Sequence, residues 1–202
     1  MGRGKNQIKS PQSDRPIGGS IAKKDLKPGD HIYTWRLLGT YSHHGIYVGD
    51  GIVINFNTPD TKCMKEDAIP ESKRCPTCNP VTADDVKVMT IVKTCLEHFG
   101  STIFLYKYGI SWGEFYINPR AIRCPLEAKP FEETVSTALE KLKTGFGKYN
   151  ALTNNCEHFA TYCKTGVKLS AQIFTPPLRA LGVGDGGAVF IYFCVVNFFY
   201  FK

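Results

Sequence analysis

The chain has 202 residues, 43% of them apolar, and a formal net charge of +7. That length holds one ordinary domain with tails, and the apolar content is normal for a folded chain. The charge is mild and the lysines are scattered, with no tight basic cluster interleaved with aromatics, so the pattern argues against nucleic-acid binding.

A solvated basic surface and a surface turned toward anionic lipid headgroups both fit this charge. Residues 1–20 are rich in Gly, Pro, Ser, Lys and Arg and read as a flexible arm. Gly2 is present, but Asn6 stands where a myristoylation signal needs Ser or Thr. No apolar run follows Met1, so no secretory signal is expected. The eight cysteines are then expected in a reducing, cytoplasmic setting, as thiols or metal ligands.

The folded domain is expected over 21–172. Pro28-Gly29-Asp30 makes a turn before a β-type run, Ile32 to Arg36. Two further β-type runs, His43 to Val48 and Ile52 to Phe56, flank Gly49-Asp50-Gly51 and predict a hairpin. Residues 57–99 read as an insertion. Its first part is irregular, with Pro59, Pro70, Pro76 and Pro80, and the apolar segment from Val86 fits strand or helix. "STIFLYKYG" reads as a strand. Phe131, Val135, Ala138, Leu139 and Leu142 recur at helical spacing and predict an amphipathic helix stopped by Gly145 or Gly147. Glu132 and Glu133 at its start and Lys141 and Lys143 at its end suit the helix dipole. A second helix is expected from Asn154 or Asn155, a good cap, to Gly166. Residues 173–202 form a tail. Its stretch "AVFIYFCVVNFFYF" has 14 residues, short of the usual span of about 20. A buried core segment, an interfacial anchor and a short membrane tail all remain open for it, so peripheral or tail-anchored attachment to a membrane is one expectation. Oligomeric state is not encoded in any visible pattern.

With Asn155 as cap, Cys156 falls in the first turn of that second helix. Unpaired backbone N–H groups and the positive helix end there favour a thiolate and an oxyanion. Cys163, two turns on, reads as packing. A thiolate nucleophile needs a histidine base, and His158 is too close on the same helix to serve. The hairpin offers a better one. With the turn centred on Asp50, Gly45 faces Asn55 and Tyr47 faces Val53. His43 and Asn55 then share a face as diagonal neighbours about 7–8 Å apart. His44 goes to the other, mostly apolar face with Ile46, Val48, Ile54 and Phe56.

"HHGIYVGDG" followed further along by "NNCEHFA" resembles the LRAT (lecithin:retinol acyltransferase) domain, above all its plant-type members. Those also carry "GFGxYN" before the cysteine and "YCKTG" after it, as this chain does at Gly145 to Asn150 and Tyr162 to Gly166. The resemblance covers roughly Leu26 to Gly166. It implies an α+β, circularly permuted papain-like fold: an antiparallel sheet with the nucleophile cysteine at a helix N-terminus. It also implies Cys156 as nucleophile, His43 as base, lipid or acyl-ester substrates, an acyl-cysteine intermediate and no catalytic cofactor. The family usually has a second histidine where this chain has Asn55. Asparagine orients the histidine in papain-like enzymes, so Asn55 can hold the His43 ring here. Tyr33 and Trp35 are offered as neighbours of the oxyanion pocket. Two other readings stand beside the thiol acyltransferase or hydrolase: a non-catalytic scaffold on the same fold, which Asn55 supports, and a cysteine peptidase. Separately, Cys75, Cys78, Cys95 and His98 follow C-x2-C-x16-C-x2-H spacing, which suits a structural zinc.

Overall fold

β-Branched and aromatic runs build the centre of the molecule. In the computed structural model, which describes residues 19–36, 41–57, 90–117 and 123–170, they form a five-stranded sheet. Its strands are β1 (His31–Arg36), β2 (Tyr41–Gly49), β3 (Ile52–Asn57), β4 (Thr90–Cys95) and β5 (Phe104–Leu105). They lie in the order β4-β3-β2-β1-β5 with every pairing antiparallel. Four helices accompany them: α1 (Leu96–Phe99), α2 (Trp112–Ile117), α3 (Phe131–Thr144) and α4 (Cys156–Thr165). The fold is therefore mixed α+β on an antiparallel sheet. A short parallel pair, β6 (Lys107–Tyr108) with β7 (Arg123–Cys124), stands apart.

The hairpin has the register its pleat predicts: Gly45 opposite Asn55, Ile46 opposite Ile54, Tyr47 opposite Val53. The one irregularity lies between Tyr47 and Gly49, at the turn, so the faces beyond it are not exchanged. Gly49, Asp50 and Gly51 all take positive φ, which glycine adopts freely and aspartate tolerates. On one face of the sheet Ile46, Ile54 and Phe56 pack against Ala138, Phe146, Phe159, Ala160 and Cys163, so α3 and α4 lie there. On the other face Ile32 and Val53 pack against Leu96, Phe99 and Ile103. Cys163 is thus packing, as expected.

Within the stretch 57–99, residues 90–95 pair with β3 along its whole length, and Leu96–Phe99 follow as one helical turn. That part belongs to the sheet, and β-pairing settles what local periodicity left open. "STIFLYKYG" divides into β5, which pairs with β1 and whose register Tyr106 continues by donating its N–H to the His31 carbonyl, and β6, which pairs with β7. The short α2 and β7 were not anticipated. α3 ends as expected, with Gly145 at positive φ donating to the Lys141 carbonyl.

α4 is tied to the hairpin by a buried lysine. Lys164 Nζ donates to the Gly29 carbonyl at 3.2 Å and lies 4.7 Å from the Phe131 ring centre. Gly29 N–H in turn donates to the Tyr47 carbonyl at 2.7 Å. Gly29 has φ +93°, and a Cβ there would stand 2.7 Å from the Phe131 Cα, so only glycine fits. Among the described residues no helix is long and apolar enough to cross a membrane. The apolar stretch 188–201 lies outside the described residues.

Candidate active site

α4 starts at Cys156 because Asn155 stops the backbone in an extended conformation and supplies the cap. The Asn155 side-chain oxygen accepts the N–H groups of Glu157 and His158 at 3.0 and 3.1 Å. The Asn155 N–H donates to His158 Nδ1 at 3.2 Å, so histidine fills the place that Glu or Gln takes in the usual capping box. Asn155→Ala is expected to cost about 1 kcal/mol of stability, read from denaturant unfolding. The cap also alters the expected chemistry. Two first-turn N–H groups are taken up by Asn155, leaving fewer for an oxyanion than the helix start alone promised.

Cys156 is 3% exposed. Its thiol donates to the Ser42 carbonyl at 3.8 Å. The Tyr149 side chain also hydrogen-bonds the sulfur, and burial followed by the nearby Cys156 raises the Tyr149 pKa. The Tyr149 ring packs 5.0 Å from Phe56, which fixes it over the sheet.

His43 and Asn55 are brought together. His43 Nε2 lies 3.3 Å from Asn55 Oδ1, and Asn55 Nδ2 donates to Thr94 Oγ1 at 2.8 Å. With its amide nitrogen on Thr94, Asn55 turns its acceptor oxygen to the ring. Nε2 then carries the proton, and Nδ1 keeps the lone pair a base needs. Burial, with the Arg36 guanidinium and then His44 adding to it, pushes the His43 pKa down to about 3, against the Asn55 bond. The ring is therefore neutral at pH 7. Phe99 lies 5.2 Å from the His43 ring, and a Cβ at Gly45 would stand 2.6 Å from Val53 and 3.0 Å from Phe99. Gly45 thus admits Phe99 and Val53 rather than opening space beside Asn55.

The thiol and the base meet at one peptide unit. The sulfur reaches the carbonyl that joins Ser42 to His43. The His43 ring packs with Phe99 and turns its Nε2 to Asn55. Tyr33 stacks on Phe104 and His44, and Trp35 is largely exposed. Of the four zinc candidates, Cys95 Sγ and His98 Nδ1 lie 3.2 Å apart, while Cys75 and Cys78 fall outside the described residues. Among the described residues no group of three metal-ligating side chains occurs.

Two features escaped the sequence reading. Tyr149 sits inside "GFGKYN" and could have been found there. His44 is not in an apolar setting: it belongs to a buried set with His31, Ser42, Tyr106, Tyr108 and Glu157. No local spacing signals that set.

Comparison with known proteins bears on the same residues. The sequence profile of the family described as lecithin retinol acyltransferase matches residues 24–169. Protein LEAD-SENSITIVE 1 of Arabidopsis thaliana is 36% identical over 164 residues, covering 75% of this chain and 62% of its own length. Human lecithin retinol acyltransferase is 30% identical over 131 residues, covering 65% of this chain and 52% of its own. The bovine protein of that name is 28% identical over a similar stretch. The chain thus spans less than two thirds of the length of these relatives.

Proposed function

Because the chain belongs to the lecithin retinol acyltransferase family, we propose that it is a thiol-dependent acyltransferase or acyl hydrolase working on lipid esters at Cys156. The observation that carries this reading is the placement of Cys156 at the first position of a capped helix, with Tyr149 on its sulfur. In this mechanism the Cys156 sulfur attacks the ester carbonyl carbon and its proton passes to His43 Nδ1. Tyr149, with the helix start, steadies the charge on the carbonyl oxygen. The C–O bond breaks, and the departing alcohol takes the proton back from His43. The acyl-cysteine then gives its acyl group to water or to an acceptor hydroxyl. Asn55 orients the ring throughout. The ring must close on the sulfur at the Ser42–His43 peptide, a tightening that catalytic hydrogen bonds commonly show only with substrate bound. We place this enzyme in the permuted papain-like group, in the cytoplasm and at membrane surfaces, where its substrates lie.

The test is intact-mass spectrometry after incubation with a phospholipid, with a peptide substrate alongside. An acyl adduct on Cys156 with the lipid supports the reading. Cleavage of the peptide alone would make the protein a cysteine peptidase. No adduct and no cleavage would favour the scaffold reading, which Asn55 supports.

We further propose that Cys95 and His98 hold half of a structural zinc site, completed by Cys75 and Cys78. The 3.2 Å approach of Cys95 and His98 supports it, since both would sit on one ion at zinc-ligand distances of about 2.0–2.3 Å. Purified protein is expected to carry about one zinc per chain by elemental analysis, and Cys75→Ser with Cys78→Ser is expected to lose it.

A further inference from the structure

Beneath the thiol runs a line of buried polar side chains that the proposed chemistry does not use. Tyr108 Oη is 2.7 Å from His31 Nδ1, His31 Nε2 is 2.9 Å from His44 Nδ1, and His44 Nε2 is 2.8 Å from Ser42 Oγ. His31 and His44 have no exposed surface, and Ser42 almost none. The backbone carbonyl of that same Ser42 receives the Cys156 thiol. Tyr106 stacks on His31 at 4.2 Å and donates to Glu157, which also accepts the Ser170 hydroxyl.

A leucine at position 44 would match Ile46 and Ile54 on the same face and need no partners. Two histidines, two tyrosines and a serine cost folding energy unless every polar atom is bonded. Here both nitrogens of each ring are bonded. A neutral ring offers one donor and one acceptor, so these bonds run head to tail and one tautomer choice fixes them all. The line ends at the residue whose carbonyl touches the thiol.

We propose that His44, held in place by His31 and Tyr108, is a positioning residue for the Cys156 thiol, acting through Ser42. His44 pins the Ser42 hydroxyl, and the pinned Ser42 presents its carbonyl to the sulfur. The proposal rests on Cys156 being the working thiol. A carbonyl accepts a hydrogen bond from S–H and has none to give a thiolate, so it favours the protonated form and opposes the helix end. The resting thiol is thereby held protonated until substrate draws the sulfur off Ser42. Among the described residues, Tyr149 from the loop before α4 lies at the thiol with Tyr41 beside it. The titratable groups facing the two rings are Tyr33, Tyr106, Tyr108, Lys164, Glu157 and the neighbouring His43.

The experiment is the pH profile of iodoacetamide alkylation at Cys156, read by mass spectrometry on the full chain. Ser42→Ala, His44→Leu and His44→Gln are compared with the parent, and near-ultraviolet circular dichroism reports folding. Ser42→Ala and His44→Leu are expected to move the alkylation midpoint down by about one pH unit. His44→Gln is expected to restore it, since an amide can donate to Ser42 and accept from His31. A midpoint that stays or rises in folded Ser42→Ala overturns the proposal. Should His44→Leu fail to fold, Ser42→Ala and His44→Gln decide. Acyl transfer is scored separately in the parent with an activated ester. An adduct with no midpoint shift removes the positioning role alone, and a shift with no adduct removes the acyl chemistry alone.

Discussion

If the proposed acyl chemistry holds, Cys156→Ala is expected to abolish the covalent acyl adduct and lower turnover of a lipid ester by about 10⁴-fold or more, while the domain stays folded. Loss of a covalent nucleophile removes the reaction path itself, so the effect is among the largest a single change can have. The structural cost is small by comparison. The side chain is buried, but exchanging a thiol for a methyl group removes one heavy atom and leaves the Asn155 cap untouched. His43→Ala is the companion change, with an expected loss of about 10²–10⁴-fold, the usual worth of general base catalysis. The two losses should not add, because nucleophile and base act as a unit. Intact-mass spectrometry for the adduct and thermal melting for the fold check both. An alanine variant that still acquires the acyl group on Cys156's peptide would end the assignment.

Lowering the pH is expected to unfold the protein between about pH 6 and 4, before His43 and His44 reach their native titration points. Burial pushes His43 and His44 down to about 3 and His158 to about 4, and it holds His31 low as well. In the unfolded chain each ring takes its proton near pH 6.5. Between those values the unfolded state binds more protons, so stability is complete above about pH 6.5 and falls as pH drops. A depression of roughly three units corresponds to about 4 kcal/mol for one fully buried ring, and several such rings together are comparable with a domain's total of about 5–15 kcal/mol. The acid limb of any activity profile is then set by unfolding rather than by His43. Circular dichroism against pH tests this, and a native signal retained at about pH 3.5 would contradict the depressed titration of these rings.

Strand and helix periodicity made much of the site legible. The His43–Asn55 contact follows from the Gly49–Gly51 turn and the two-residue pleat, both local properties, and the start of α4 follows from one cap residue. The rest depends on contacts between distant segments. His31 and Tyr108 are 77 positions apart and meet only because β1 and the chain after β5 close on each other. Reading His44 as one of an apolar set was reasonable from alternation, because alternation reports which face a residue takes and not what waits there. The oxyanion donors were overcounted for a similar reason: the same Asn155 that marks the helix start also occupies its N–H groups. The strand Thr90–Cys95 was ambiguous alone, since its type is decided by the free edge of β3.

The helix that carries Cys156 is fastened to β2 at two points, Ser42 through the thiol and Tyr47 through Lys164 and Gly29. From Cys156 to Lys164 the helix rises about 12 Å, and from Ser42 to Tyr47 the strand advances about 17 Å. An extended lysine side chain makes up the difference. Helix and strand therefore form a ruler that is clamped at both ends while the thiol is protonated. In the proposed acyl-cysteine the sulfur has no S–H left to give Ser42, so that end is released and only the Lys164–Gly29–Tyr47 end stays fastened.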